Sequence, residues 1–218
     1  MIKDMTTITS EQINDFDKRY RTNLINCLSG IKSMNLIGTK NTSGQTNLAI
    51  FNSVIHLGAH PPLMGFIQRP ATVERHTFEN IQETKYFTIN SVTKEVHKQA
   101  HQTSARYERA ESEFDETSLE STFINDFHAP FVAKSPLKIG LELADIIPIP
   151  VNNTQLVIGK VKLIQLNEEF LKEDGFLSLH DQGIVGGTGL DSYLSAKEIG
   201  RYSYAKPDLP LSKYSHNR

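Results

Sequence analysis

The sequence predicts a mainly β fold, an antiparallel barrel with peripheral helices, and three observations carry that prediction. Short runs rich in Val, Ile, Leu and Phe recur through the middle of the chain and are too short and too β-branched for helices. One of them, at residues 137–149, alternates between apolar and polar positions. The order of strand-like and helix-like segments does not alternate as a parallel α/β sheet requires.

The elements follow in chain order. An N-terminal helical arm is expected over residues 8–30, with Ser10 as N-cap, Glu11 and Gln12 in its first turn and Gly30 as its stop. Strands are expected at residues 35–39, 47–56 and 63–68. Pro61-Pro62 forces an extended lead-in to the third, which delivers Arg69 at a turn. A helix over 77–84 places Phe78 and Ile81 on one face; a strand at 86–92 and a helix at 93–102 come next. In the run at 137–149, Leu137, Ile139, Leu141 and Leu143 face a core, while Lys138, Gly140, Glu142 and Ala144 face solvent or a neighbour. The turn Pro150-Val151-Asn152-Asn153 joins this strand to another at 156–166, giving a hairpin with Gly159 as a bulge. Sequential pairing is the economical topology.

Composition narrows the function classes. A chain of 218 residues with 38% hydrophobic residues can bury a sizeable core, and no repeat or linker divides it. A net charge of -2 gives no polyanion-binding signature, so nucleic acid is not expected as the main partner. The single cysteine, Cys27, excludes an intrachain disulfide and fits a reducing compartment; with nothing beside it to activate it, it reads as a small buried residue. The most apolar stretch, residues 137–151, is interrupted by Lys138, Glu142 and Asp145, and the first sixteen residues hold no apolar signal core. A cytoplasmic protein with no membrane association is the expectation.

Polar residues inside apolar runs mark candidate chemistry. Asn47, Asn52 and Ser53 sit among Leu48, Ala49, Ile50 and Phe51, and a buried amide or hydroxyl is costly without a partner. A flat heteroaromatic ligand with donors and acceptors on its edge meets that need. Arg69 at a strand end, near the helix opening at His76-Thr77, suits a phosphate: a guanidinium fork plus free helix amides. A surface arginine and an ordinary Thr77 N-cap are the plainer alternative. His56/His60 and His97/His101 both have a spacing of four, but Gly58 and Pro61 oppose a helix across the first pair, and Lys98 stands where a metalloprotease has Glu. No metal site is expected. His101 leads into the hydroxyl-rich Thr103-Ser104, a helix exit or a ligand-contacting loop. Gly183, Gly186, Gly187 and Gly189 lack a P-loop lysine and read as a tight loop.

Taken in order, Asn47-Leu48-Ala49-Ile50-Phe51-Asn52-Ser53, Pro61-Pro62-Leu63, Arg69, His76-Thr77-Phe78-Glu79-Asn80-Ile81 and Phe87-Thr88-Ile89-Asn90 resemble the flavin reductase-like, FMN-binding split-barrel family, in its flavoredoxin branch. Ser112-Glu113-Phe114, Ala129-Pro130, Ser135-Pro136 and Gly159 support the resemblance, which spans roughly residues 30–170. It implies a split β-barrel homodimer with FMN in a groove near the subunit interface. Carried over by position, the FMN-binding residues are Asn47, Ala49, Ile50, Phe51, Asn52, Ser53, Arg69, Thr77 and Ser104. Ile50 stands where the branch often has proline, and Asn52 where it often has serine. The family's Gly-Gly-x-x-Tyr ending is loosened here, with Gly186-Gly187 followed only later by Tyr193.

The chain therefore divides into a helical arm (1–30), a flavin reductase-like split-barrel domain (31–170) and a C-terminal extension (171–218) packing on the barrel or on a dimer partner. The expected function is that of an FMN-binding oxidoreductase, a flavin reductase moving hydride from NADH or NADPH to flavin and on to an acceptor, with His101 or His56 assisting. The alternatives are a non-catalytic FMN-binding or storage protein and a His-ligated metal enzyme.

Overall fold

The computed structural model describes residues 5–70 and 73–214, so the first four residues of the expected arm and the last four of the extension lie outside it. The elements are α1 (Ser10–Asp15), α2 (Lys18–Cys27), β1 (Lys32–Ser33), β2 (Asn35–Lys40), β3 (Thr46–Phe51), β4 (Ile55–Ala59), β5 (Pro62–Gln68), α3 (His76–Thr84), β6 (Tyr86–Ser91), α4 (His97–Gln102), α5 (Glu113–Glu116), β7 (Ser121–Thr122), β8 (Phe131–Val132), β9 (Leu137–Ile149), β10 (Thr154–Leu166), β11 (Val185–Thr188) and β12 (Ser192–Ser195).

Seven strands form one antiparallel sheet in the order β3-β2-β6-β9-β10-β5-β4. Its two edge strands, β3 and β4, are consecutive in the chain. Seven flat strands at about 4.8 Å spacing would hold those edges about 29 Å apart. The four residue steps from Phe51 to Ile55 reach at most about 14 Å. The sheet must therefore roll into a barrel, and covalent chain rather than a ladder spans the split between its edges. Side-chain hydrogen bonds help there: Ser53 Oγ donates to Ile67 O (3.3 Å) and accepts from Ile67 N–H (3.1 Å).

Burial explains the strands. Ile37, Phe66, Phe87, Ile89, Leu141 and Val157 fill the interior with Phe78 and Ile81 of α3. Phe66 packs edge-on to Phe51 and Phe87, with ring centroids 4.8 and 5.8 Å away. A Cβ at Gly159 would lie 2.5 Å from the Phe87 ring, so only glycine admits that ring, and the β9–β10 register shifts beside it. A second cluster, including Leu36, Leu48, Val92, Val96, Ala100 and Phe114, buries the outer face of β2 and β3 under α4 and α5.

Several sequence expectations are corrected. The run at 47–56 is two strands, because the chain must leave one sheet edge and reach the other at Asn52-Ser53-Val54. Sequential pairing holds for β2–β3, β4–β5 and β9–β10 but not for β2–β6, β6–β9 or β10–β5. The arm is two helices, and Thr9, not Ser10, caps the first through a capping box with Gln12. The second expected helix starts at His97, not residue 93. Of the two options for the second face of β9, a neighbour covers its first half, where Lys138 is buried with Nζ donating to Ser135 O (2.7 Å) and the Phe127 ring lies against Gly140, while Ala144 is exposed. Gly186 and Gly187 are strand residues of β11, pairing with β1 and β12, rather than a tight loop. Cys27 is exposed at the end of α2. Among the described residues no helix is long and apolar enough to cross a membrane.

Candidate functional site

The outer edge of β3 has no strand partner. Antiparallel alternation turns every second residue's N–H and C=O away from β2. Leu48 N–H donates to Glu113 Oε2 (2.9 Å), so Thr46, Leu48 and Ile50 are the outward-facing residues. Glu113 thus closes one part of the edge, and the Thr46 and Ser112 hydroxyls meet beside it at 2.7 Å. The Ile50 amide has no backbone acceptor outside the sheet among the described residues, leaving a donor at the edge. Burial, foremost, raises the Glu113 pKa; its hydrogen bond from Leu48 and the nearby His76 oppose that shift.

One end of this edge meets α3. Asn47 is buried and donates through Nδ2 to Thr77 Oγ1 (2.8 Å). Arg75 precedes α3 without a side-chain cap to the helix amides. Its Nε is buried with no hydrogen-bond partner among the described residues. Desolvation, then the charges of Arg69 and Arg106, lower the Arg75 pKa. Arg69 and Arg106 thus lie close enough to Arg75 for their charges to act on it at a helix start without a side-chain cap, where Glu79 Oε1 accepts from Arg75 N–H (3.0 Å); the positive charge and the helix amides favour an anion.

The other end meets the β11–β12 hairpin. Asn52 Nδ2 donates to Gly189 O (2.8 Å), and Tyr193 on β12 packs with Ile50 against the outer cluster. Tyr193 Oη lies 3.0 Å from His101 Nδ1, and its ring centroid is 5.4 Å from that of His97. Burial, then Asp191, pushes the Tyr193 hydroxyl up to about 12, so it remains a protonated donor at neutral pH. His97 Nδ1 lies 2.7 Å from Lys94 O. The two imidazoles flank a tyrosine, and among the described residues no group of three or more His, Cys, Asp or Glu side chains is placed to hold a metal.

The fold brings Asn47, Ala49, Ile50, Phe51 and Asn52 together along one edge and sets Thr77 at its end. Arg69 is exposed and close enough to Arg75 for their charges to interact. Ser104 is exposed on the same loop as Arg106, its amide bonded to His101 O (3.0 Å). His56 lies exposed on β4. The expectation that Asn47, Asn52 and Ser53 need a ligand is corrected: Thr77, Gly189 and Ile67 supply partners within the chain. Thr77 is not an N-cap but lies inside α3, whose first residue is His76. Sequence reasoning did not single out Arg75, which follows Arg69 on the same β5–α3 connection, or Arg106, which joins them only through the fold. It noted Glu113 and Tyr193 only as parts of family motifs.

Comparison with known proteins agrees with this fold. The family model described as "Flavin reductase like domain" matches residues 30–186. A candidate flavin reductase with a split barrel domain from Shewanella frigidimarina NCIMB 400 is 45% identical, with a TM-score of 0.89 over 92% of this chain and 100% of that one. Nitrilotriacetate monooxygenase component B from Bacillus cereus shares the fold at 20% identity, TM-score 0.78, covering 89% of this chain and 97% of that one. Flavoredoxin of Desulfovibrio vulgaris (Miyazaki F) does so at 22% identity, TM-score 0.67, covering 82% and 92%. With this antiparallel split barrel and a family match over most of its length, the chain belongs to the flavin reductase like domain family, whose chemistry is flavin-linked oxidoreduction.

Proposed function

We propose that this protein is an FMN-binding oxidoreductase, a flavin reductase that takes hydride from NADH or NADPH and passes the electrons to an acceptor. The observation that carries this reading is the open edge of β3, running from the arginine cluster to Asn52. Its five residue steps span about 17 Å, a length suited to an extended flavin mononucleotide. The residues present fit that ligand. Arg69, Arg75 and Arg106 with the α3 amides and Thr77 receive the phosphate, and the buried Arg75 Nε gains the partner it lacks. Asn47, with Ser104 across the groove, faces the ribityl chain, while Ala49, Ile50, Phe51, Asn52 and Ser53 hold the ring edge through backbone groups and apolar cover.

A bound flavin would supply the electron chemistry, as a two-electron acceptor for hydride. This chain's part is to position, to desolvate and to manage protons. His101, fixed by Tyr193, orients the nicotinamide or passes a proton, with His56 as the second imidazole proposed for that role. A homodimer completes the site. Helices α1 and α2 bury no residue of their own, and Tyr20, Ile25, Leu28 and Ile31 are exposed along and after α2. Helices this short are marginal alone, which favours burial against a second copy.

Anaerobic titration of the FMN-loaded protein tests this reading. Bleaching of the flavin band near roughly 450 nm by NADH or NADPH is expected. A bound flavin that neither nucleotide bleaches would replace the reductase with an FMN-storage function, and a protein that takes up no FMN would overturn both.

A further inference from the structure

The flavin reading uses only Arg69 of a groove bounded by the β9–β10 turn, the end of β5 and α3. It has a volume of about 400 Å³, and its lining includes Gln68, Arg69, Phe78, Asn153 and Gln155. Gln68 is only 4% exposed; its amide nitrogen donates to Arg69 O (3.1 Å), and its amide oxygen has no partner among the described residues. The amide groups of Asn153 and Gln155 also have no hydrogen-bond partner among the described residues. Three carboxamides, each offering a donor beside an acceptor, thus share one groove with an aromatic ring. That pairing matches the donor and acceptor edge of adenine, which Asn and Gln read bidentately elsewhere in biology.

The groove is joined to the arginine cluster. Arg69 lines it and also acts on Arg75, as does Arg106. The first turn of α3 separates it from the β3 edge: Thr77 turns to Asn47, whereas the next residue, Phe78, lines the groove. A ligand whose phosphate meets the arginines therefore has two directions in which to extend.

We propose that this groove is a subsite for an adenosine 5′-phosphate group, the base held by the carboxamides and the phosphate by Arg69. The proposal rests on reading the arginines as the flavin-phosphate site, and the group has two sources, the adenylate half of FAD and that of the nicotinamide dinucleotide.

Calorimetric titration of the full chain with 5′-AMP, without flavin, is the direct test. The variant Asn153→Gly/Gln155→Leu removes two carboxamides, with glycine suited to the φ of 58° at position 153. AMP is expected to bind the wild type and to lose about tenfold in affinity in the double variant, at unchanged FMN affinity. If the double variant melts early, Gln155→Leu alone serves, with a smaller loss expected. A parallel loss for FAD assigns the groove to the flavin dinucleotide, a raised KM for NADH or NADPH assigns it to the hydride donor, and a loss for AMP alone assigns it to the free nucleotide; each supports the subsite. No AMP binding up to about 10 mM, or equal AMP binding by wild type and variant, overturns it. Because AMP is titrated without flavin, its failure leaves FMN binding untouched, and a failure of FMN to bind is seen separately.

Discussion

Glu113 ties the β3 edge to α5 at a cost set by pH. Its carboxyl is buried, which raises its pKa above the ordinary glutamate value. Below that ordinary value the group is protonated whether folded or not, so the burial penalty is absent. As pH rises through the raised folded pKa the native state must ionise a buried group, and stability is lost. Urea midpoints compared at about pH 4 and about pH 8 should show this loss in the wild type and a smaller one in Glu113→Gln, whose amide oxygen still accepts from Leu48; equal pH slopes would count against it. Asn52→Leu removes the bond to Gly189 and the hold on the β11–β12 hairpin, and should weaken FMN by about tenfold. Unchanged FMN affinity would move the ring away from Asn52. At this scale the sequence marked Asn47 and Asn52 as polar residues within an apolar run but not what they touch. The partner of Asn52 lies 137 residues away and that of Asn47 lies 30 away, distances over which no local pattern carries information.

Elements were legible where one local rule decides them. The β9–β10 hairpin follows from alternation and its turn, and the Gly159 irregularity falls where a Cβ would strike Phe87. Gly159→Ala should therefore destabilise the barrel by about 1–3 kcal/mol through overpacking, read as a lowered urea midpoint; a neutral effect would mean that Phe87 moves freely aside. The break between β3 and β4 was not legible, because residues 47–56 read as one strand-like run despite Asn52 and Ser53, and only the barrel's closure decides where the chain turns. Whether Lys138 faces solvent or a neighbour stayed open for a similar reason. Alternation gives two faces but not whether a distant loop covers the second, and here the segment carrying Phe127 does. Burial lowers the Lys138 pKa, so the wild type should gain stability as pH rises from that depressed value toward the ordinary lysine range; Lys138→Met should lack this gain.

The whole molecule is a barrel with two attachments that its own core does not fully absorb. The N-terminal helices bury no residue. The tail is fastened by Arg201, which pairs with Asp174 and lies 4.0 and 3.8 Å from the ring centroids of Phe176 and Tyr214. Arg201→Ala should release the tail and make it cleavable by dilute protease while the barrel stays intact; unchanged cleavage would show that other contacts hold it. The fold class and the strand carrying the candidate site were readable from pattern and family motifs. The arginine cluster was not, since Arg69 and Arg75 share the β5–α3 connection but Arg106 comes from the segment after α4, which only the closed barrel brings to them. That cluster makes the central claim, a flavin with its phosphate at α3 and its ring toward Asn52, directly measurable. Calorimetric titration of FMN and riboflavin into the wild type and Arg69→Gln/Arg106→Gln should show FMN bound at least about tenfold more tightly than riboflavin by the wild type, and that preference largely lost in the variant. Equal wild-type affinities for FMN and riboflavin would contradict it.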